Sequence, residues 1–288
     1  MTDVVSATDS YLAFLLSLGR MSPITVLSAF FLTLARLIPS MVIAPFLGAK
    51  TVPAIIRMMF SVALCVVFLP QVLVATQHTI PFDMIFVGLM IKELFIGFII
   101  GFLVTIPFYI AQSSGGLIDH IRGSASLQVT DPTTSSKTGP LGIFYNYSLI
   151  AIFFAIGGPI IFIRAVSQSF TLIPITEILN PVFFSPVIPF WKKIIGLVNM
   201  MFTIAIQLGA PSIIGVLMAE MFLGIANRLA PQVQIVFLGI SLKSWLGLGL
   251  LAAAWYFIMN QLGKDSKAWI EMIQQLIVQT SQLKNIPK

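Results

Sequence analysis

Leu94 to Ile118 reads LFIGFIIGFLVTIPFYIAQSSGGLI, an uncharged run that begins directly after Lys92-Glu93 and stops at Asp119. About 20 mostly apolar residues cross a hydrocarbon core as a helix, so this stretch reads as a membrane span and sets the class of the chain. Comparable runs lie on both sides. Pro23 to Leu47, interrupted by Arg36, and Met58 to Leu73 come before it; Leu141 to Ile163, Ile194 to Ala219 and Ser244 to Gly263 come after. Tyr11 to Leu18 is too short to cross alone. A central Arg costs about 2.5–3.5 kcal/mol against a gain of a few tenths per Leu, Ile, Phe or Val, so one charge per span is tolerated. The pattern predicts about six hydrophobic helices of that length.

Composition agrees. Of 288 residues 58% are hydrophobic and only 9% charged, with a mean hydropathy of +1.00, whereas a soluble domain carries roughly 25% charged residues. Too few charges exist to cover a water-facing surface, and the apolar content also excludes disorder, collagen and a disulfide scaffold. The 16 basic and 10 acidic side chains are scattered singly, which excludes a nucleic-acid face. Cys65, the one cysteine, sits within an apolar run and reads as a small core hydrophobe. Met1 to Ser10 carries Asp3, Asp9 and no basic residue, so it lacks the positive start of a signal peptide.

Polar breaks divide the chain at Gln77 to Pro81, at Asp119 to Pro140 and at Thr171 to Pro189. The last holds Pro174, Pro181, Pro186 and Pro189 and is expected to be a kinked connector, since each proline removes a donor and crowds the preceding turn. Pro39, Pro45, Pro70, Pro107, Pro159 and Pro211 fall inside apolar runs and predict bent or broken helices of the kind that line cavities. Residues 1–263 read as one helical membrane domain. From Lys264 to Lys288 the apolar positions Trp269, Ile270, Met272, Ile273, Leu276 and Ile277 keep a helical spacing opposite Gln and Lys, which predicts an amphipathic surface helix. The basic tail and the Lys50 to Arg57 turn both favour the cytoplasm, yet simple alternation puts them on opposite sides. One segment must therefore be a half-span or a re-entrant hairpin.

Enzyme motifs are lacking: no phosphate loop, no His-Glu-x-x-His, no Gly-x-Gly-x-x-Gly. Ser113-Ser114-Gly115-Gly116 followed by His120 has no nucleophile elbow around it. The sequence therefore points to no catalytic residue, cofactor or metal. Ionisable groups in apolar surroundings are functional candidates instead, and these are Arg36, Arg57, Lys92-Glu93, Arg164, Glu220 and Arg228. Adjacent helix residues point about 100° apart, so Lys92 and Glu93 are expected to need partners on other helices or subunits. Arg228 is expected to pair with Glu93 or Glu220. Gly97 and Gly101 form a Gly-x-x-x-Gly patch for close helix approach. Gly115, Gly116 and Gly123, with Asp119 and Arg122 among them, read as flexible backbone after a span. Two functions remain open at this point, a proton-coupled secondary transporter using Glu93 and Glu220, and a subunit of a larger conduit.

The order of these residues resembles the FliR/SctT family, the T subunit of type III secretion and flagellar export gates. Arg36-Leu37-Ile38-Pro39, Ala44-Pro45-Phe46-Leu47-Gly48 and Val52-Pro53 with Arg57 look like its opening. Lys92-Glu93-Leu94 with Gly97 and Gly101 is similar to its acidic residue and Gly-rich helix. Gly115-Gly116-Leu117-Ile118-Asp119 and Asp131-Pro132 resemble its central loop, and Asn227-Arg228-Leu229-Ala230-Pro231-Gln232-Val233 its most distinctive block. Ala-Pro-Phe-Leu-Gly-Ala-Lys looks closer to injectisome members than to flagellar ones. The resemblance implies an all-α, multi-pass protein of bent helical hairpins in the bacterial inner membrane, without enzymatic activity or cofactor. It implies R- and S-type subunits as partners around a protein-conducting channel, the U-type switch subunit and the export ATPase as indirect ones, and unfolded secreted proteins as cargo. It also implies a plug in the loop from Gly115 to Ser126, and subunit contacts or buried charges at Arg36, Arg57, Glu93, Glu220, Arg228, Pro231 and Gln232.

Overall fold

Ser22 opens the first helix: its hydroxyl accepts from the backbone N–H of Thr25 at 3.3 Å, and Pro23 occupies the first helical position, where no donor is needed. In this computed structural model, residues 22–48, 52–76, 79–123, 129–131, 137–178, 189–229 and 235–282 are described. They form α1 (Pro23–Ile43), a short 3-10 turn (Pro45–Leu47), α2 (Ala54–Ala75), α3 (Met84–Ile121), β1 (Val129–Thr130), β2 (Lys137–Thr138), α4 (Pro140–Ala155), α5 (Gly158–Leu172), α6 (Pro189–Leu229) and α7 (Ile235–Gln282). The two strands are a small antiparallel pair, Val129 opposite Thr138 and Thr130 opposite Lys137. Everything else of regular structure among the described residues is helical, so the chain is an all-α membrane protein. Five helices are long and apolar enough to cross a membrane, and a sixth crossing arises if α4 and α5, bent by 72° at their junction, count as one.

Two compact units divide the chain, one of residues 1–105, 159–192 and 270–288, the other of 106–158 and 193–269. In the first, α1 packs against α2 around the fully buried Leu32, Leu37, Leu73 and Cys65. Cys65 behaves as the core hydrophobe its neighbours indicated. Phe46 meets Phe162 edge-on at 5.4 Å and Phe68 meets Phe170 at 6.1 Å, so α5 closes this core. In the second unit Phe108 and Phe153 meet edge-on at 5.4 Å. Tyr145 and Leu149 of α4 are buried beside them, and Trp255 of α7 stacks on Phe144 at 4.8 Å.

Several expectations change. Pro39, Pro70, Pro107 and Pro211 lie inside continuous helices, because membrane helices tolerate proline where neighbouring groups satisfy the freed carbonyls. The break falls at Ile156-Gly157 instead, just before Pro159, and divides the run expected as one span. Gly157 adopts φ 75°, a left-handed conformation that favours glycine and ends α4. This bent pair provides the interrupted segment that the alternation of basic turns requires. The connector after Leu172 is irregular from Ile173 to Ile178. α7 runs through Gly263 to Gln282 without interruption, so no break in the backbone marks the boundary expected there.

Gly97 and Gly101 find their partner within the chain. A methyl group at Gly97 would strike the carbonyl oxygen of Arg36, and one at Gly101 would lie 3.1 Å from Pro39 O and Ser40 Cα. Bare backbone is what lets α3 press onto α1. Gly88, on the same helix, has nothing within 4 Å of such a methyl. Gly97→Ala should therefore lower stability by about 1–3 kcal/mol through overpacking, whereas Gly88→Ala should raise it by about 0.5–1 kcal/mol through helix propensity. Thermal unfolding of the two purified variants checks this, and shifts of the same sign would contradict it.

Candidate functional site

Two polar centres are buried among the helices, one in each unit. In the first, Arg36 of α1 is 0% exposed and uses all five N–H donors of its guanidinium. Nε donates to Glu93 Oε2 and Nη2 to Glu93 Oε1 at 2.9 Å, a two-pronged grip on one carboxylate. Nη1 donates to the carbonyl and hydroxyl oxygens of Ser169 at 2.7 and 3.1 Å, and Nη2 also to Ile173 O at 2.8 Å. The Phe170 ring lies 4.4 Å from Cζ, a cation–π contact.

Lys92 completes this centre. Its Nζ donates to the carbonyls of Pro174, Ile175 and Glu177 at 2.9, 3.2 and 2.8 Å and lies 2.7 Å from Glu93 Oε1. The expectation that adjacent Lys92 and Glu93 cannot neutralise each other is corrected, because the four-carbon stem of lysine reaches round the helix where its Cβ direction does not. Carbonyls at the end of a helix have no intrahelical acceptor role and attract cations. Arg36 and Lys92 together satisfy those at the end of α5 and just beyond, while Glu93 supplies the negative charge between them.

The second centre lies at the end of α3. Asp119 is 2% exposed; its Oδ1 accepts from Arg122 Nε and Nη2 at 3.0 and 2.7 Å, and its Oδ2 accepts from the backbone N–H of Leu141 at 2.8 Å. A carboxylate from α3 thus caps the first turn of α4. Asp131, 0% exposed, accepts at Oδ2 from Gln112 Nε2 of α3 at 3.0 Å and from Asn146 Nδ2 of α4 at 2.8 Å. The expected flexible loop from Gly115 is corrected: Gly115, Gly116 and Asp119 are helical, α3 ends only at Ile121, and Gly123 follows with φ 88°. Gly115 is a packing residue, since a methyl there would collide with the Leu141 carbonyl.

The remaining candidates separate. Arg57 donates from Nη1 to Val42 O at 3.1 Å, capping the last turn of α1. Glu220 of α6 pairs with Lys243 of α7 at 2.5 Å. Both acids expected as partners of Arg228 are therefore engaged elsewhere, and Arg228 stands exposed in the last turn of α6, where a cation suits the helix dipole. Arg164 is exposed on α5. Pro231 and Gln232 lie outside the described residues. Sequence reading missed Gln112, Asn146 and Ser169. Single amides inside the apolar runs Phe108 to Ala111 and Ile143 to Ile150 were the available signal for the first two. Among the described residues no group of three or more His, Cys, Asp or Glu could hold a metal.

Removing Glu93 leaves two buried cations facing one another, whereas removing Lys92 leaves Glu93 still gripped by Arg36. Glu93→Gln should therefore destabilise the protein by about 3–5 kcal/mol, the cost of an uncompensated buried charge, and more than Lys92→Met does. Unfolding midpoints measured side by side test the order; the reverse order would show that Lys92, not Glu93, is the keystone.

Residues 27–268 match the family described as bacterial export proteins, family 1. Yop proteins translocation protein T of Yersinia pestis is 31% identical over 199 residues, 68% of this chain and 73% of that protein. Secretion system apparatus protein SsaT of Salmonella typhimurium is 28% identical over 191 residues, 65% of this chain and 71% of the relative. Flagellar biosynthetic protein FliR of Caulobacter vibrioides is 27% identical over 237 residues, 81% and 88% of the two chains. The family match takes in both buried centres and the Glu220–Lys243 pair, and with relatives of this kind it places the chain among the bacterial export proteins of family 1, the FliR/SctT family.

Proposed function

We propose that this protein is a non-enzymatic subunit of the type III secretion export gate in the bacterial inner membrane, forming the protein-conducting channel with R- and S-type subunits. The cargo is unfolded secreted protein; the U-type switch subunit and the export ATPase act on the gate indirectly. Identity of 31% to the Yop translocation protein against 27% to the flagellar protein supports the injectisome branch.

The observation that carries this reading is the surface of α6 and α7 in the second unit. Met218, Met221, Phe222 and Trp245 are exposed by 66–79%. Among them lies the Glu220–Lys243 pair, whose side chains are 54% and 22% exposed. Glu220 is nine residues from Leu229, the end of α6, about 13 Å along the axis at 1.5 Å per residue. Lipid disfavours a half-exposed ion pair at such depth, and water disfavours the methionines and aromatics around it. Protein covers both. α7 is moreover 48 residues long, about 72 Å, against a hydrocarbon core of about 30 Å, so a single bilayer crossing does not contain it.

Glu93 argues against the secondary transporter. A proton-coupling carboxylate must alternate between partners and meet water, whereas Glu93 is 0% exposed and held by both Arg36 and Lys92. The closing element of the gate is the end of α3, Gly115 to Gly123, together with the β1–β2 strap that follows.

Expressed alone, the protein should be recovered as aggregated or heterogeneous material, and co-expression with R- and S-type subunits should give one defined complex. A monodisperse solitary chain that binds a small solute would overturn the gate assignment. Replacing residues 124–138 by a short Gly/Ser linker should raise ion leakage through the assembled complex; unchanged conductance removes the closing role from this region. Arg228→Ala should reduce assembly while leaving membrane insertion intact, with a loss of about 2–5 kcal/mol if a neighbour's carboxylate is left unpaired. Assembly at the parental level would mark Arg228 as a solvated helix end.

A further inference from the structure

Asp131 is a fully enclosed carboxylate in a segment with almost no regular structure, and the proposed channel wall does not require it. Both amides that reach it come from helices, Gln112 of α3 and Asn146 of α4, and both donate to the same oxygen. Burying an ionised group is costly unless it is hydrogen-bonded, so this arrangement carries a cost that an apolar residue in place of Asp131 would avoid. It is explained if the contact is one that has to be both specific and breakable.

The geometry around Asp131 separates fixed points from a releasable one. At the far end of the strap, β2 pairs with β1 and leads into α4. There Thr138 is 7% exposed, and its Oγ1 lies where side chains on Gly116 or Gly142 would intrude. Asp119 holds the start of α4 through the backbone N–H of Leu141, a donor that cannot rotate away. The Asp131 contacts differ in kind, because carboxylate and amides are all side chains that can turn together and exchange one another for water. Release at this residue would free β1 without unfolding α3 or α4.

We propose that Asp131 is the latch of the gate, a positioning residue that keeps the β1–β2 strap seated on α3 and α4 so that the closing element stays shut at rest. The inference rests on the reading of this region as the closing element. Exported polypeptide, or a shift of α3 against α4, opens it by separating Gln112 from Asn146, since one oxygen cannot follow both.

The test uses the assembled complex with R- and S-type subunits, carrying Asp131→Asn or Gln112→Leu, with ion leakage and complex yield measured together. Leakage about tenfold above the parent at unchanged yield is expected, the population shift that roughly 1.4 kcal/mol brings. Parental leakage in both variants, while the 124–138 linker replacement leaks, overturns the latch and leaves the gate reading standing. Parental leakage in the linker replacement as well overturns both. If neither point variant assembles, Asp131 is a folding element and the latch is likewise overturned.

Discussion

Glu93 sits between Arg36 and Lys92 with no access to water, and the first unit is organised around that carboxylate. A buried negative charge can persist only if its partners are held in place, and here each partner is itself committed. Arg36 and Lys92 reach past Glu93 to the carbonyls at and beyond the end of α5. Three helices and an irregular connector are thereby tied to one point. The bare backbone of Gly97 brings α3 against the Arg36 carbonyl, which sets the separation across which the two side chains meet. Charge pairing and glycine packing are thus one device, since a wider gap between α1 and α3 would leave the carboxylate half-solvated.

The second unit uses the same chemistry more sparingly. Asp119 and Asp131 gather side-chain and backbone donors from α3, α4 and the stretch between them, and Arg122 is the cation of that centre among the described residues. Outside the cores, apolar side chains remain uncovered on α2, α6 and α7; the spanning windows of these helices are only 33%, 39% and 17% buried within the chain. A membrane covers some of that surface. The exposed Glu220–Lys243 pair requires something other than hydrocarbon beside it, and a subunit of an assembly meets that requirement by leaving part of its surface for its neighbours.

Much of the candidate chemistry was visible as residue types but not as pairs. Arg36 and Glu93 stood out as charges in apolar runs, yet 57 positions separate them and no periodicity joins them. Arg228 illustrates the converse. Its charge was legible and its partner was not, because Glu93 and Glu220 are claimed by residues from other helices. Gly115 and Gly116 were read as freedom where the fold uses closeness, since composition does not reveal whether a glycine serves a turn or a contact. Gln112 and Asn146 escaped notice because one amide in an apolar run is unremarkable until a carboxylate is found opposite it.

Sequence by itself determined that this chain lives in a membrane, that it is helical, and which family it resembles. These follow from local composition and short ordered motifs, and hydrophobic run length depends on no distant residue. Tertiary structure decided which charges neutralise one another, where α4 ends and α5 begins, and which glycines are contacts. Those outcomes depend on the distance between side chains far apart in the chain. In a low-dielectric interior a difference of an ångström or two separates a bonded pair from two uncompensated charges.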